Sequence, residues 1–520
     1  MEHINAISRR EFIRCVSAAG AASMSLWAGG CEACLQQINQ QIQNRPTRKN
    51  IQELWTANPS DPVIVTYKNA VQQMKALPAS NTSSWQYQMS IHLNSCIHHN
   101  WLWLPWHRVY LLYFERICRK VTGDATFALP YWNWNTHPAV PDPFWDTSSP
   151  LYDPNRCVTQ ADQADSSYIG TSVLSSILAE PNFELFASSK PTSMSPPFLH
   201  DGANTQGLLE ATPHNNIHEF VGSSATCEGD MGSFQSPLDP VFYTHHCMLD
   251  CMWTHWNVDL GNANTNDPDW MNYAITDFYD ENGNPVTVAV GITPLFPLLS
   301  YQYEPCSLAT GGQGQSTGRK LTGKQLEDFL KTGAPSKLEY VQRFELRQAI
   351  TADSHKPATA AIKVDSSAFT NAIQGGSRNR IVLTVSEVEV PLKRDFYVRV
   401  FINKPDASAD TSIDDPHFAG SFGFFYDEKG MGHKMEMNAE SAKPGSAKAR
   451  SANTGSAKPG EAARPQTGFV VDVTQTLQKL NQAGSLSSEA NVSLVPVAYD
   501  HHDSIGQLKL QKLELAAVRF

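Results

Sequence analysis

The stretch Leu104-Pro105-Trp106-His107-Arg108-Val109-Tyr110-Leu111-Leu112-Tyr113-Phe114-Glu115 decides the fold of the first half of this 520-residue chain. Read on to Lys120, it places His107, Leu111, Phe114 and Cys118 at spacings of four, three and four, one face of a helix. Pro105 fits the first turn of that helix. Its buried stripe therefore carries an imidazole, and imidazoles gather elsewhere too. His92, His98 and His99 lie just upstream. His214 and His218 are four apart and share a face, with Thr212 read as their N-cap and Pro213 as a first-turn residue. His245 and His246 follow Asp239 and Pro240, a cap and a first-turn residue, and the His246 face continues through Leu249, Asp250 and Trp253. Three helices aiming imidazole inward give the geometry of a metal site inside a helical bundle.

A single inward histidine is usually a hydrogen-bonded core residue. Two groups of three at these spacings are not, and all-imidazole sets suit copper, zinc or iron. Zinc hydrolysis on a His-x-x-x-His helix needs glutamate directly after the first histidine as general base. Asn215 stands there, which excludes that chemistry.

Composition bounds the rest. A length of 520 residues implies two domains. The net charge of -11 excludes nucleic acid as a partner, because phosphate binding needs a concentrated basic face. No apolar run reaches the roughly 20 residues needed to span a membrane. Ser8-Arg9-Arg10-Glu11-Phe12-Ile13 precedes a weakly apolar Ala/Ser/Gly-rich run from Cys15 to Gly30. Residues 1–30 are therefore expected to be a twin-arginine-type signal, making the protein exported, periplasmic or secreted. Ten cysteines suit an oxidising compartment; without Cys15 nine remain, so at least one stays out of disulfides, and the pairing is open.

The expected fold is an α-helical bundle catalytic core with long loops over 31–310, then an all-β sandwich-like C-terminal domain over 356–520. Residues 311–355 read as a linker with one amphipathic helix, Gly323 to Thr332. Short alternating runs at Arg380–Val385, Phe396–Phe401, Phe469–Val473, Val492–Val497 and Leu508–Leu515 carry the β expectation. The insert at 441–465, where SAKPG occurs twice, reads as disordered.

Two segments carry a family resemblance. His107-Arg108-x-Tyr110-Leu111-x-Tyr113-Phe114-Glu115 and Asp239-Pro240-Val241-Phe242-Tyr243-x-His245-His246 resemble the two copper signatures of type-3 copper proteins: tyrosinases, catechol oxidases and haemocyanins. Trp85-x-Tyr87-Gln88-x-x-Ile91-His92 resembles the segment holding the first ligand in bacterial members. The resemblance implies that His92, His98 and His107 bind one copper ion and His214, His218 and His246 a second, with O2 as co-substrate. It sets His99 and His245 aside, and His245 also points roughly 100° away from His246 on its helix. Cys96-Ile97-His98 matches the spacing of a thioether link to the second ligand, which would leave eight other mature cysteines, an even number. Two departures stand out: His92 and His98 are only six apart, and Met248 and Cys251 replace the family's Asn and Arg, although Asp250, expected to orient an imidazole, is kept.

By the same resemblance the chain is a latent copper-dependent monophenol monooxygenase and o-diphenol oxidase acting on small phenols. A phenol with a pKa of about 10 needs a base to bind as phenolate. Glu210, four before His214, and Asn215, directly after it, are the expected water-polarising pair. Phe234 occupies the gate position, and a bulky gate is associated with oxidation of diphenols alone. A catechol or o-aminophenol oxidase without hydroxylase activity, and a haemocyanin-like O2 carrier, are the alternatives. Tyr301-Gln302-Tyr303 resembles the motif closing the core, packed on Arg45 or Arg48. Asp395–Asn403 and Phe418–Phe422 resemble the C-terminal domain of plant polyphenol oxidases, which covers the copper site until a protease acts. Phe424, Phe425 and Tyr426 are the candidate plug residues, and 311–323 and 441–465 the expected protease targets.

Overall fold

In a computed structural model, the structure describes residues 45–194, 205–305, 336–365, 379–426, 464–500 and 504–520, apart from 487, together with Ser367 and Thr370. The expected signal over 1–30, the expected helix Gly323 to Thr332, the expected protease target 311–323 and residues 441–463 of the expected insert lie outside these residues.

The core is built on helices α1 (Ile51–Ala57), α2 (Pro62–Ala76), α3 (Trp85–Ser95), α4 (Trp103–Thr122), α5 (Asn215–Gly222) and α6 (Val241–Thr254). Helix α2 opens with Asp61 accepting from the Val63 N–H and Pro62 in its first turn, and α3 opens with Ser84 accepting from the Tyr87 N–H. Helix α4 stops at Gly123, whose φ of 73° closes the helix as only glycine does without strain. All of α6 is buried, so it runs through the middle of the bundle rather than along its face. Asp239 caps it, its Oδ1 accepting from the Val241 N–H at 3.0 Å. Among the described residues no helix is long and apolar enough to cross a membrane.

Thr212 is not an N-cap. Residues Glu210–His214 form a π-turn that runs straight into α5. Pro213 inside it has no N–H to give to a normal helical turn. The Thr212 hydroxyl instead donates to the Ser421 carbonyl at 2.8 Å.

Arg48 sits at the base of the core with its guanidinium 3.7 Å from the centre of the Tyr301 ring. It bonds Glu115 at 2.9 Å and Asp250 at 3.2 Å. Asp250 also receives Arg108 and the Tyr301 and Tyr303 hydroxyls at 2.5, 2.7 and 2.6 Å. The expectation that Asp250 orients an imidazole is therefore corrected: its oxygens are spent on two arginines and two phenols. Burial would push its carboxyl up, but Arg108 and Arg48 outweigh burial and hold it below the usual range. Both expected arginines meet the Tyr-x-Tyr segment, since Arg45 bonds the Tyr301 carbonyl and Gln302, and Arg48 lies on strand β1 (Thr47–Arg48), which pairs in parallel with β3 (Gln302–Tyr303). Tyr303→Phe is expected to lower unfolding free energy by about 1.5–3 kcal/mol, the worth of a hydrogen bond to a charged group. Urea titration checks this, and an unchanged midpoint would contradict it.

The C-terminal unit is a β-sandwich. One sheet has the order β8 (Phe418–Phe422), β7 (Phe396–Ile402), β10 (Glu489–Ala498), β5 (Ala358–Lys363). The other runs β2 (Thr205–Gln206), β9 (Gln466–Asp472), β6 (Asn379–Glu389), β11 (Leu508–Arg519), β4 (Glu339–Ala352). Val398, Val400 and Leu494 of the first sheet share an apolar core with Leu383, Val385 and Leu515 of the second. Two details depart from expectation. Strand β4 lies inside 311–355, so the C-terminal part of the expected linker is an edge strand. A helix, Thr474–Gln482, interrupts the all-β pattern.

The two units are stitched together. Strand β2 belongs to the core but pairs in parallel with β9. Arg394 reaches Glu219 at 3.2 Å, Arg399 reaches Asp165 at 3.0 Å, and the Tyr499 hydroxyl donates to Asn216 at 2.6 Å. Gly423 is pressed so closely on the core that a Cβ there would overlap Asn216 and the Tyr499 hydroxyl.

Candidate metal centre

Helices α3, α4, α5 and α6, the π-turn and the loop after α3 bring the six expected histidines together in the buried core. Four imidazoles are oriented through Nδ1. His92 donates to the Phe234 carbonyl at 2.7 Å, His107 to Trp103 at 2.8 Å, His218 to Met231 at 2.8 Å, and His214 to the Asn215 Oδ1 at 2.8 Å. A proton fixed on Nδ1 leaves Nε2 as a bare lone pair, the ligand form of histidine. The Nε2 atoms of His92 and His107 face each other at 3.4 Å, and those of His218 and His246 at 3.2 Å. The His107 and His246 rings stack at 4.3 Å with 6° between their planes, joining the two groups.

Two bare lone pairs meeting at 3.4 Å repel unless a cation sits near both. Both ring nitrogens of His98 and the His214 Nε2 are buried without a hydrogen-bond partner, a cost that a metal ion would remove. Burial, then the neighbouring imidazoles, holds His98, His107, His218 and His246 well below the ordinary histidine range. His214 is pushed down to about 3 by burial, against its bond to Asn215. The set is neutral and soft enough for copper, and it fits.

His245, expected off the ligand set by its helical angle, is fully buried and its ligand atom lies within 4.8 Å of those of His214, His218 and His246. Crowding of three elements around one point outweighs its 100° offset on α6. Cys96 likewise has its sulfur within 4.8 Å of ring nitrogens of His92 and His98. Cys157 and Cys227 form a disulfide, whereas Cys96, Cys118 and Cys247 are thiols. Without Cys15 and Cys96 eight cysteines remain, the expected even number; of these Cys118 and Cys247 are not in disulfides, while Cys251 is disulfide-bonded.

Glu210 is fully buried and pushed up to about 8 by burial, despite donors from the Ser188 hydroxyl and the His99 N–H. Asn215 serves His214, and its amide donates to Gln206 at 2.7 Å and to the Gly423 carbonyl at 3.0 Å. Phe234 stacks on His98 at 5.3 Å and 24°. The three plug candidates separate. Phe424 packs into the sandwich against Phe396 and Phe469. Phe425 points into the histidine cluster, 4.0 Å from the His218 ring and 28° off parallel. Tyr426 stacks on His99 at 5.8 Å and 7°. The contacts of His99, Ser188 and Gln206 span long sequence separations and left no local signal.

The metal-free chain should be most stable near pH 6.5. Burial lowers His98, His107, His214, His218, His245 and His246, so each binds its proton less readily folded than unfolded. Stability from them grows as pH rises toward 6.5 and is lost in acid. Glu180, Glu210 and Glu219 are pushed up to about 8 by burial, so their contribution is full below about 4.5 and drains as pH rises through 8. Six imidazoles outweigh three carboxyls up to 6.5, and above it only the carboxyls act. Thermal unfolding of metal-free protein from pH 4 to 9 checks this; a maximum above 8 would contradict it.

Comparison with known proteins agrees with this arrangement. The model of the common central domain of tyrosinase matches residues 68–196 and 147–259, and that of the polyphenol oxidase middle domain matches 264–309. A chloroplastic latent-form polyphenol oxidase of Prunus armeniaca is 32% identical over 402 residues, 70% of this chain and 64% of its own. A chloroplastic (+)-larreatricin hydroxylase of Larrea tridentata is 29% identical over 426 residues, 74% of this chain and 69% of its own. The chain thus spans less than two thirds of the Prunus relative's length. Latent apple tyrosinase superposes with a TM-score of 0.61 at 21% identity, covering 91% of this chain and 97% of that one. Latent aurone synthase from its natural source gives 0.61 at 22%, covering 92% and 90%. At these identities the superpositions speak for the fold. With both domain models matched in order and the six imidazoles gathered as their signatures require, the chain belongs to the type-3 copper protein family, a tyrosinase-type core followed by a polyphenol-oxidase-type domain.

Proposed function

We propose that this protein is a latent tyrosinase, which with copper bound ortho-hydroxylates monophenols and oxidises o-diphenols to o-quinones. The observation that carries the reading is the Phe425 ring stacked on His218 inside a cluster of neutral imidazoles. His92, His98 and His107 would hold one ion, and His214, His218 and His246 the other. Bound there, the copper pair supplies O2 binding and oxidation, which no side chain here provides.

The chain's own residues do the rest. The carbonyls of Phe234, Trp103 and Met231 and the Asn215 amide fix the rings. The aromatic walls exclude water. Glu210 is the group to hold and polarise the water that takes the phenol proton; with its carboxyl pushed up to about 8, the ionised form that does so grows as pH rises toward 8. Asn215 acts with it by holding His214. Cys96 and His98 are assigned to a thioether on their proximity. Residues 1–30 are assigned to twin-arginine-type export, which carries a folded, metal-loaded chain. The names of two relatives, a latent-form polyphenol oxidase and a hydroxylase, support latency and hydroxylation. Against hydroxylation stands Phe234, whose ring on His98 narrows the approach and favours oxidation of diphenols alone.

The copper-loaded protein, half of it protease-treated, is assayed with tyramine and with catechol. Turnover of both after cleavage is expected. Catechol turnover alone would leave a diphenol oxidase, turnover of neither with reversible O2 binding a carrier, and equal rates before and after cleavage would remove latency.

A further inference from the structure

Phe425 and Tyr426 together have the shape of a small molecule. Phe425 supplies a ring, two carbons and a carbonyl, and the next amide nitrogen leads through two carbons to the Tyr426 ring. Each part meets its own receptor on the core. The Phe425 ring lies on His218 at 4.0 Å, with His98 and His214 edge-on at 5.2 and 5.5 Å. Its carbonyl accepts from the His99 Nε2 at 2.9 Å. The Tyr426 ring lies parallel to the His99 imidazole. His99 holds a φ of 63°, which a residue with a side chain seldom adopts, and its N–H is bonded to Glu210 at 2.6 Å. His99 and its anchor both belong to the core, so this receptor stays when the C-terminal segment withdraws.

We propose that the uncovered site accepts phenolic amides of this same skeleton. The skeleton is a phenol or catechol ring joined through two carbons to an amide carbonyl, whose nitrogen carries a second aromatic ring two carbons away. The proposal rests on the plug reading above and adds a substrate class to it. His99 is the specificity-determining residue: its Nε2–H binds the carbonyl, and its ring face stacks on the second ring. A simple phenol uses only the first part of the site. The carbonyl bond and the ring stack are each worth about threefold to tenfold in affinity. The oxidation is that of any catechol: two diphenols give up four electrons and four protons and reduce one O2 to two waters.

The test uses the copper-loaded full chain, nicked by limited proteolysis, with 4-methylcatechol, N-methylcaffeamide and N-(2-phenylethyl)caffeamide. KM is expected to fall about threefold to tenfold at each step of that series, with kcat little changed. His99→Gln keeps an N–H donor without the ring, so the first step persists and the second is lost. His99→Leu loses both. Equal KM for all three probes, or steps that persist in His99→Leu, overturn the proposal, while turnover of 4-methylcatechol keeps the dicopper reading standing. If no catechol is oxidised, that reading fails and binding decides the proposal alone. The non-oxidisable N-(2-phenylethyl)-3-phenylpropanamide should then quench tryptophan fluorescence saturably, since Trp103 lies 5.0 Å from His214. It should bind His99→Leu about tenfold to a hundredfold more weakly; absence of saturable quenching overturns the proposal.

Discussion

His218→Ala is expected to leave one copper per chain instead of two and to lower catechol oxidation by the protease-treated protein about a thousandfold or more. The reason lies in how that ring is held. Its Nδ1–H is given to the Met231 carbonyl, so Nε2 is committed as a lone pair, and that atom lies 3.2 Å from the His246 Nε2. Removing the ring takes away one donor and leaves His246 without the partner that faces it. His245 stands nearby, yet its ring nitrogens find no well-directed hydrogen bond, only a loose approach to the His214 backbone. Nothing fixes its tautomer or direction as Met231 fixes His218, so it is a poor replacement. The copper at His92, His98 and His107 should be retained, because none of their orienting bonds passes through His218. Atomic absorption gives the stoichiometry. Two coppers per chain with unchanged turnover would show that His218 is no ligand.

The helices bearing His107, His218 and His246 were legible because local patterns set them: a four-three-four stripe, an i, i+4 pair, and an Asp-Pro start. The same locality explains the errors. Thr212 has the residue type and position of a cap, but Pro213 reshapes the turn and Ser421, some two hundred residues away, takes the hydroxyl. Asp250 looks like any carboxylate near a metal helix until Arg48 and Arg108 arrive from distant segments. Strand β4 reads Glu-Tyr-Val-Gln-Arg-Phe-Glu-Leu-Arg-Gln, rich in helix formers and half exposed, and only its pairing with β11 makes it a strand. Its alternation of Phe344 and Leu346 was present but weak. For His245 a sound angular argument about one helix could not register the π-turn and α5 converging on it.

Phe425→Gly should raise catechol oxidation by the intact, uncleaved protein about 10- to 100-fold. Burying a phenylalanine ring is worth about 1.5–3 kcal/mol, and here that energy favours the closed arrangement alone. The backbone of the segment stays anchored without the ring. Gly423 donates to the Ala211 carbonyl at 2.8 Å and accepts from Asn215, and Ser421 bonds the Ser167 carbonyl at 2.8 Å. The fold should therefore persist while the space over His218 opens. Phe424 provides the contrast, because its side chain faces the other way, into the sandwich beside Phe422 and Phe469. Phe424→Gly should lower the unfolding midpoint as a core deletion of about 3–5 kcal/mol does. Rates measured with catechol in excess, alongside the mass of the uncleaved chain, separate the two. An intact Phe425→Gly protein as silent as the parent would mean that the seam of polar contacts, rather than this ring, keeps phenols from the imidazoles.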